Sequence, residues 1–203
     1  MEGEPVLRLI LASLSPRRKS LLESAGIAPF VVPSNVDEDA AAQGMAPGEL
    51  VKALARRKIR KVALDMPGEF VLGGDTIVLI DGEVLGKPRD REEARDMLRR
   101  ISGRTHEVYT GIALYEPKGR TILDDYDATK VTMREMDEEE IIWYVDTGEP
   151  MDKAGSYALQ GIGGFFVTRV EGDFSGVVGL PLPKVYELLR RAGVGLDEIL
   201  TVG

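Results

Sequence analysis

The sequence predicts an α/β fold: a mixed, twisted sheet flanked by helices. Three observations lead there. Short apolar runs with strand character alternate with helical stretches that carry N-caps and glycine stops. Two long strand segments and a tight Asp81-Gly82 turn sit mid-chain, where hairpins interrupt a parallel pattern. A chain of 203 residues, 43% of them hydrophobic, can bury a core without metal or disulfide staples.

Taken in order, residues 6–12 (VLRLILA) form a compact apolar strand broken by Ser13-Leu14-Ser15-Pro16. A helix follows, with Ser15 as N-cap, Pro16 at its first position and Gly26 as its stop. Residues 30–32 make a short strand, and the acidic, Ala-rich stretch 37–48 is a loop. A long helix over about 47–64 buries Leu50, Val51, Leu54, Ile59 and Val62 and shows a basic second half. Strand follows over 70–72 and 76–80, and Asp81-Gly82 turns the chain back, as type I′, into 83–85. Asp90 with Glu93 reads as a capping box for a helix ending near Gly103. Strands over 106–115 and 121–133 are joined by a turn at 117–119. Asp137 with Glu140 repeats the capping box and starts a helix through Val145, where Trp143 and Tyr144 serve core packing or a subunit contact. Residues 152–164 are Gly-rich and irregular, 165–170 a strand, and 181–192 a final helix stopped by Gly193.

The composition excludes several functions. With 34 acidic and 26 basic residues the net charge is −8, which argues against a duplex nucleic-acid footprint but leaves room for a small anion at a local basic cluster. There is no cysteine and a single histidine, His106, so thiolate catalysis and multi-histidine metal sites are out. A metal would need oxygen ligands, as Mg²⁺, Mn²⁺ or Ca²⁺ do. No apolar run reaches membrane-spanning length, and 6–12 is too short for a signal peptide, so a cytoplasmic location is expected.

Four segments carry candidate chemistry. In Ser13-Leu14-Ser15-Pro16-Arg17-Arg18 a strand runs into a helix N-terminus with hydroxyls and guanidinium groups at hand, which suits a polyphosphate; the plainer alternative is an N-cap with exposed arginines. Gly73-Gly74-Asp75-Thr76 lets the backbone bend beside an acid that could hold a metal or take a proton, or merely bond its own turn. Lys87 has no evident structural duty after its strand, whereas Asp90 explains itself as an N-cap. The loop around Gln160 is rich in hydrogen-bonding groups, and its amide could read a base edge. The acidic run at 37–39 and Lys58 read alone as solvated faces, and His106 as a structural histidine. The P-loop-like stretch 82–87 is one residue short and lacks its Ser/Thr, and Gly161-Ile162-Gly163-Gly164 misses the dinucleotide register.

Jointly these segments resemble the Maf family of nucleoside triphosphate pyrophosphatases. The matching motifs are Leu11-Ala12-Ser13-Leu14-Ser15-Pro16-Arg17-Arg18, Gly74-Asp75-Thr76-Ile77-Val78, Leu85-Gly86-Lys87-Pro88, Ser102-Gly103-Arg104-Thr105-His106 and the stretch 152–181. Residues 152–161, with Gln160, look like the branch acting on dTTP and UTP rather than the one preferring 7-methyl-GTP. The resemblance implies one domain over 1–203, in one lobe or two around a central cleft, and suggests a homodimer. It implies pyrophosphate release from dTTP or UTP, with Mg²⁺ or Mn²⁺ as cofactor. Asp75 matches the proton acceptor and Glu38 an acidic site residue, and Asp75, Glu38 or both are expected to hold the metal. Lys58 and Lys87 match basic residues of the catalytic site. Ser13, Ser15, Arg17, Arg18, Thr76, Asp90 and Gln160 match substrate-binding positions, with Arg17, Thr76 and Gln160 tied to substrate choice. Gly74 stands where the family often has Ala, and Asp173-Phe174 replaces a common Ser-Tyr. Two rivals fit the residues: a pyrophosphatase of another base preference (inosine or xanthosine triphosphate, or 7-methyl-GTP) and a non-catalytic nucleotide-binding regulator of cell division. The set Asp75, Lys87 and Glu38 speaks against the second.

Overall fold

A computed structural model describes residues 7–36 and 44–200. Its elements run β1 (Leu9–Leu11), α1 (Pro16–Ser24), β2 (Phe30–Val31), α2 (Pro47–Asp65), β3 (Phe70–Ile80), β4 (Glu83–Leu85) and α3 (Arg91–Ile101). Then come β5 (Thr105–Glu116), β6 (Thr121–Met133), α4 (Glu138–Asp146), β7 (Val167–Glu171), α5 (Phe174–Val178), α6 (Leu182–Arg191) and α7 (Leu196–Ile199). The strands form one sheet in the order β2-β1-β3-β5-β6-β7, with β4 on β3. β1 is parallel to both β2 and β3, while β4 and β7 pair antiparallel, so the sheet is mixed as expected.

The chain makes two compact units. Among the described residues the first contains 7–36, 44–75, 110–126 and 179–200, and the second contains 76–109 and 127–178. In the first, Ile59 and Val62 of α2 pack on Ile10, Val71 and Ala113 of the strands. In the second, Met97, Leu98 and Ile101 of α3 share a core with Ile141 and Tyr144 of α4 and with Val131 and Met133 of β6.

Most element starts follow from local chemistry. Ser15 caps α1, its hydroxyl accepting from the Arg18 amide at 3.5 Å, and Gly26 (φ +81°) lets the chain leave the helix. Asp137 and Glu140 form a full capping box on α4. Asp81 (φ 54°) and Gly82 (φ 77°) adopt the left-handed pair that a type I′ turn requires. The box at Asp90 is only half formed. Asp90 accepts from the Glu93 amide at 2.9 Å, but Glu93 turns to Arg89, whose backbone amide and Nε donate to it at 2.6 and 2.9 Å.

Other expectations are corrected. Residues 70–72 and 76–80 are one continuous strand, not two. Gly73 and Gly74 keep strand geometry and serve close packing: a Cβ at Gly73 would sit 2.6 Å from Ile59 Cγ2, and one at Gly74 would sit 3.1 Å from the Gly111 carbonyl. The irregular stretch holds three 3₁₀ turns, Glu149–Asp152, Ala154–Ser156 and Ile162–Phe166. The last displaces the start of β7 from 165 to Val167, burying Phe166 and leaving Phe165 82% exposed. The short helices α5 and α7 were not expected; α5 starts where the Asp173 carboxylate accepts from the Ser175 and Gly176 amides at 2.7 and 3.2 Å. Tyr144 is fully buried, whereas Trp143 is 57% exposed. Among the described residues no helix is long and apolar enough to cross a membrane.

His106 is buried in the second unit, its Nε2 2.8 Å from the Tyr157 hydroxyl and the two rings edge to face. Burial pushes its pKa from 6.5 down to about 4. The unfolded chain therefore binds a proton that the folded one refuses across that window. The neutral ring's contribution is complete above pH 6.5, and stability falls by about 3 kcal/mol as pH drops to 4. Denaturant unfolding at pH 7 and pH 4.5 checks this. Wild type should lose about 2 to 3 kcal/mol more than His106→Leu between the two conditions; parallel losses would refute it.

Candidate active site

The first unit assembles half of the expected site from the strand–turn–helix of β1 and α1. The Ala12 amide donates to the Leu72 carbonyl at 2.8 Å, so the turn leaves the sheet directly beside β3. Ser13 is buried, and its hydroxyl accepts from the Ser15 amide at 3.1 Å and from Arg18 Nη1 at 3.3 Å. Arg18 Nε donates to the Gly179 carbonyl at 2.7 Å. These bonds fix the guanidinium over the turn rather than leaving it as a mobile surface cation. Arg17 precedes it, half-buried, in the first turn of α1.

Lys58 reaches the same region from α2. It is only 6% exposed, as is Asp75 of β3, and its ammonium donates to Asp75 Oδ1 at 2.5 Å. A Cβ on Gly74 would lie 3.4 Å from Arg18 Nε, so Arg18 packs against the residue that precedes Asp75. The structure thus brings together Ser13, Ser15, Arg18, Lys58 and Asp75. The continuous strand makes this possible, because a break at Gly73-Gly74 would leave Asp75 on a loop.

The remaining expected residues belong to the second unit. Thr76 follows Asp75 along β3 and is half-buried. Lys87 is exposed just after β4, on a segment held by the bond from the Gly155 amide to the Gly86 carbonyl at 3.0 Å. Asp90 is exposed, and its carboxylate is engaged as the cap of α3. Gln160 is exposed between two 3₁₀ turns. Glu38 lies outside the described residues.

The pattern of the family described as Maf-like protein matches residues 8–192. The chain belongs to the Maf family. Its curated relatives include the dTTP/UTP pyrophosphatase of Anaeromyxobacter sp. (strain Fw109-5), 51% identical over 92% of this chain and 90% of that one. The dTTP/UTP pyrophosphatase of Symbiobacterium thermophilum is 50% identical over 92% of this chain and 94% of its own. Among solved structures, the Staphylococcus aureus Ham1 protein is similar at 13% identity and a TM-score of 0.42, over 62% of this chain and 71% of that chain, too distant to bear on activity.

For a Maf protein the donor set at Asp75 can be tested against a divalent cation. Among the described residues no three carboxylate or imidazole side chains converge on one point. Asp75 brings one hard oxygen donor group beside the cations Lys58 and Arg18. The carboxylate alone is a ligand type that Mg²⁺ accepts, since that ion takes one or two protein carboxylates and draws its other ligands from substrate phosphate and water.

Two structural supports of residues expected in the site of a Maf protein had no signal in the sequence. Gly179 acts through its carbonyl, which receives Arg18 from 161 residues away. Glu149 acts through its carboxylate, which accepts from the Tyr144 hydroxyl at 2.6 Å and from the Ile162 and Gly163 amides at 2.9 Å each. A lone Glu between Gly148 and Pro150 gives no hint of such partners.

Proposed function

We propose that this chain is a nucleoside triphosphate pyrophosphatase that hydrolyses dTTP and UTP to the monophosphate and pyrophosphate, clearing unwanted nucleotides from the cytoplasmic pool. The observation that carries the reading is the pair of relatives of that name, 51% and 50% identical over 92% of the chain. The buried Lys58–Asp75 pair next to Arg18 supports it, because a fixed carboxylate can take a proton from water while neighbouring cations favour a phosphate.

In this reading Asp75, Glu38 or both would hold Mg²⁺ or Mn²⁺, which when bound would supply Lewis acidity to the hydrolysis. Ser13, Ser15, Arg17 and Arg18 bind the triphosphate at the start of α1, where amides, hydroxyls and guanidinium groups all favour an anion. Lys58 holds one oxygen of Asp75 in place, so the carboxylate can orient water and accept its proton. The water oxygen bonds to the α-phosphorus, the bond to the β-phosphate oxygen breaks, and pyrophosphate leaves with its new charge met by Lys87 and Arg18. Asp90, capping α3, supplies an acidic edge to the substrate site. Thr76 and Gln160 choose the base, because groups built to hydrogen-bond one base edge are left unpaired by another.

A panel of canonical and modified nucleoside triphosphates with Mg²⁺ or Mn²⁺ tests the reading. Pyrophosphate should appear fastest from dTTP and UTP. Orthophosphate as product, a preference for inosine, xanthosine or 7-methyl-guanosine triphosphate, or no turnover would each overturn it. Gln160→Glu replaces the amide donor with an acceptor and should cut the preference for dTTP and UTP by about tenfold or more. An unchanged profile would place base choice elsewhere.

A further inference from the structure

Gln160 is exposed, so the backbone that carries it decides where its amide points. That backbone is fastened on both sides. Two residues before Gln160, the Ala158 amide donates to the Tyr144 hydroxyl at 3.1 Å. Two and three residues after it, the Ile162 and Gly163 amides donate to Glu149 Oε1 and Oε2, each at 2.9 Å. The two fastenings are one network, since the Tyr144 hydroxyl donates to Glu149 Oε2 at 2.6 Å. Tyr144 itself is fully buried in α4.

The residue types are matched to this task. Three donors converge on Glu149, and only a carboxylate offers acceptors on both arms. A glutamine would turn an NH₂ toward one of the donors and leave it unmet. Burial works against the Glu149 charge, but the bonds from Tyr144, Gly163 and Ile162 outweigh it and hold the carboxyl below its ordinary range. The glycines complete the fit. Gly161 has φ +113°, and any side chain there would run into the Glu149 carboxylate. A Cβ at Gly163 would come 2.5 Å from the Tyr144 hydroxyl. The segment can lie against this pair only with glycines on its inner side.

We propose that Glu149, with Tyr144, is a positioning residue for base selection: it clamps residues 158–163 so that the Gln160 amide is presented in one orientation. The inference rests on the reading of Gln160 as the residue that meets the base. A group displaced by an ångström loses much of its hydrogen-bond discrimination even when it is still present.

The test measures kcat and KM for dTTP, UTP and two purine triphosphates in wild type, Glu149→Gln, Tyr144→Phe, Gln160→Ala and the double variant Glu149→Gln/Gln160→Ala. Amide hydrogen exchange at Ile162 and Gly163 is followed alongside. Glu149→Gln should speed exchange at both amides and lower the pyrimidine-to-purine ratio of kcat/KM by about tenfold, mainly through KM for dTTP and UTP. It should add nothing to that ratio in the Gln160→Ala background. Loss of folded enzyme alone would lower kcat equally for every nucleotide and leave the ratio and KM untouched; that result overturns the proposal, as does a wild-type ratio. If Glu149→Gln does not fold, Tyr144→Phe keeps the packed ring and removes the link, and an unchanged ratio there overturns it. A wild-type enzyme with no preference for dTTP and UTP refutes the functional reading. A preferring wild type beside an equally preferring Glu149→Gln refutes only the clamp.

Discussion

Asp75→Asn is expected to reduce turnover by about 10²-fold to 10⁴-fold, the range that a positioned proton acceptor contributes, while nucleotide affinity stays within a few-fold of wild type. The substitution keeps the shape of the side chain and an oxygen for Lys58. What it removes is the negative charge that the buried ammonium faces at 2.5 Å. The cations proposed to meet the triphosphate, Arg17, Arg18 and Lys87, are unchanged, so binding and chemistry should separate in an equilibrium titration run beside single-turnover kinetics.

The same charge has a structural role, and this can mimic a catalytic defect. Lys58 and Asp75 are each 6% exposed, and breaking a buried ion pair typically costs about 3 to 5 kcal/mol. Asp75→Asn should therefore also lower the urea midpoint. The double variant Lys58→Met/Asp75→Asn distinguishes the two effects. Replacing both charges with neutral groups of similar volume is often close to neutral for stability. The double variant should regain most of the lost midpoint and none of the lost turnover. Recovery of both would show that Asp75 acts through folding and that the proton acceptor is another group.

How much of this was readable beforehand depends on how far apart in sequence the interacting atoms lie. The caps at Ser15 and at Asp137 with Glu140, and the turn at Asp81-Gly82, close within four residues, and the structure keeps them all. Gly73-Gly74 suggested a gap because their real neighbours, Ile59 and Gly111, belong to other elements. Lys58 was legible, but its periodicity has to be given more weight than its company. It sits among Arg56, Arg57, Arg60 and Lys61, which suggests a solvated face. Yet it stands four residues after Leu54 and four before Val62, both buried, which puts it on the inner side of α2. A cation at a core position of an amphipathic helix signals a buried partner. The anchoring of Arg18 on Gly179 and of the Gln160 segment on Glu149 spans distances for which neither spacing nor propensity carries information.

Gly111→Ala is the substitution with the largest expected effect on stability, and its consequences reach the site. A Cβ at Gly111 would lie 2.6 Å from the Lys52 amide nitrogen and closer still to the Val51 carbonyl. These are backbone atoms of α2, so no rotamer change relieves the overlap. At Gly73 the obstacle is the tip of the Ile59 side chain, which can turn, so Gly73→Ala should cost about 1 to 3 kcal/mol. For Gly111→Ala the helix itself must lift from β5, and a loss of more than about 4 kcal/mol is expected. Because α2 also carries Lys58, about two turns beyond Val51, the lift moves the ammonium relative to Asp75. Urea unfolding gives the stability loss, and turnover per folded molecule, measured well below the midpoint, should also fall. If Gly111→Ala unfolds within about 1 kcal/mol of wild type, α2 is not seated on β5 as described. If stability falls but turnover per folded molecule does not, Lys58 does not need its place beside Asp75 for the chemistry.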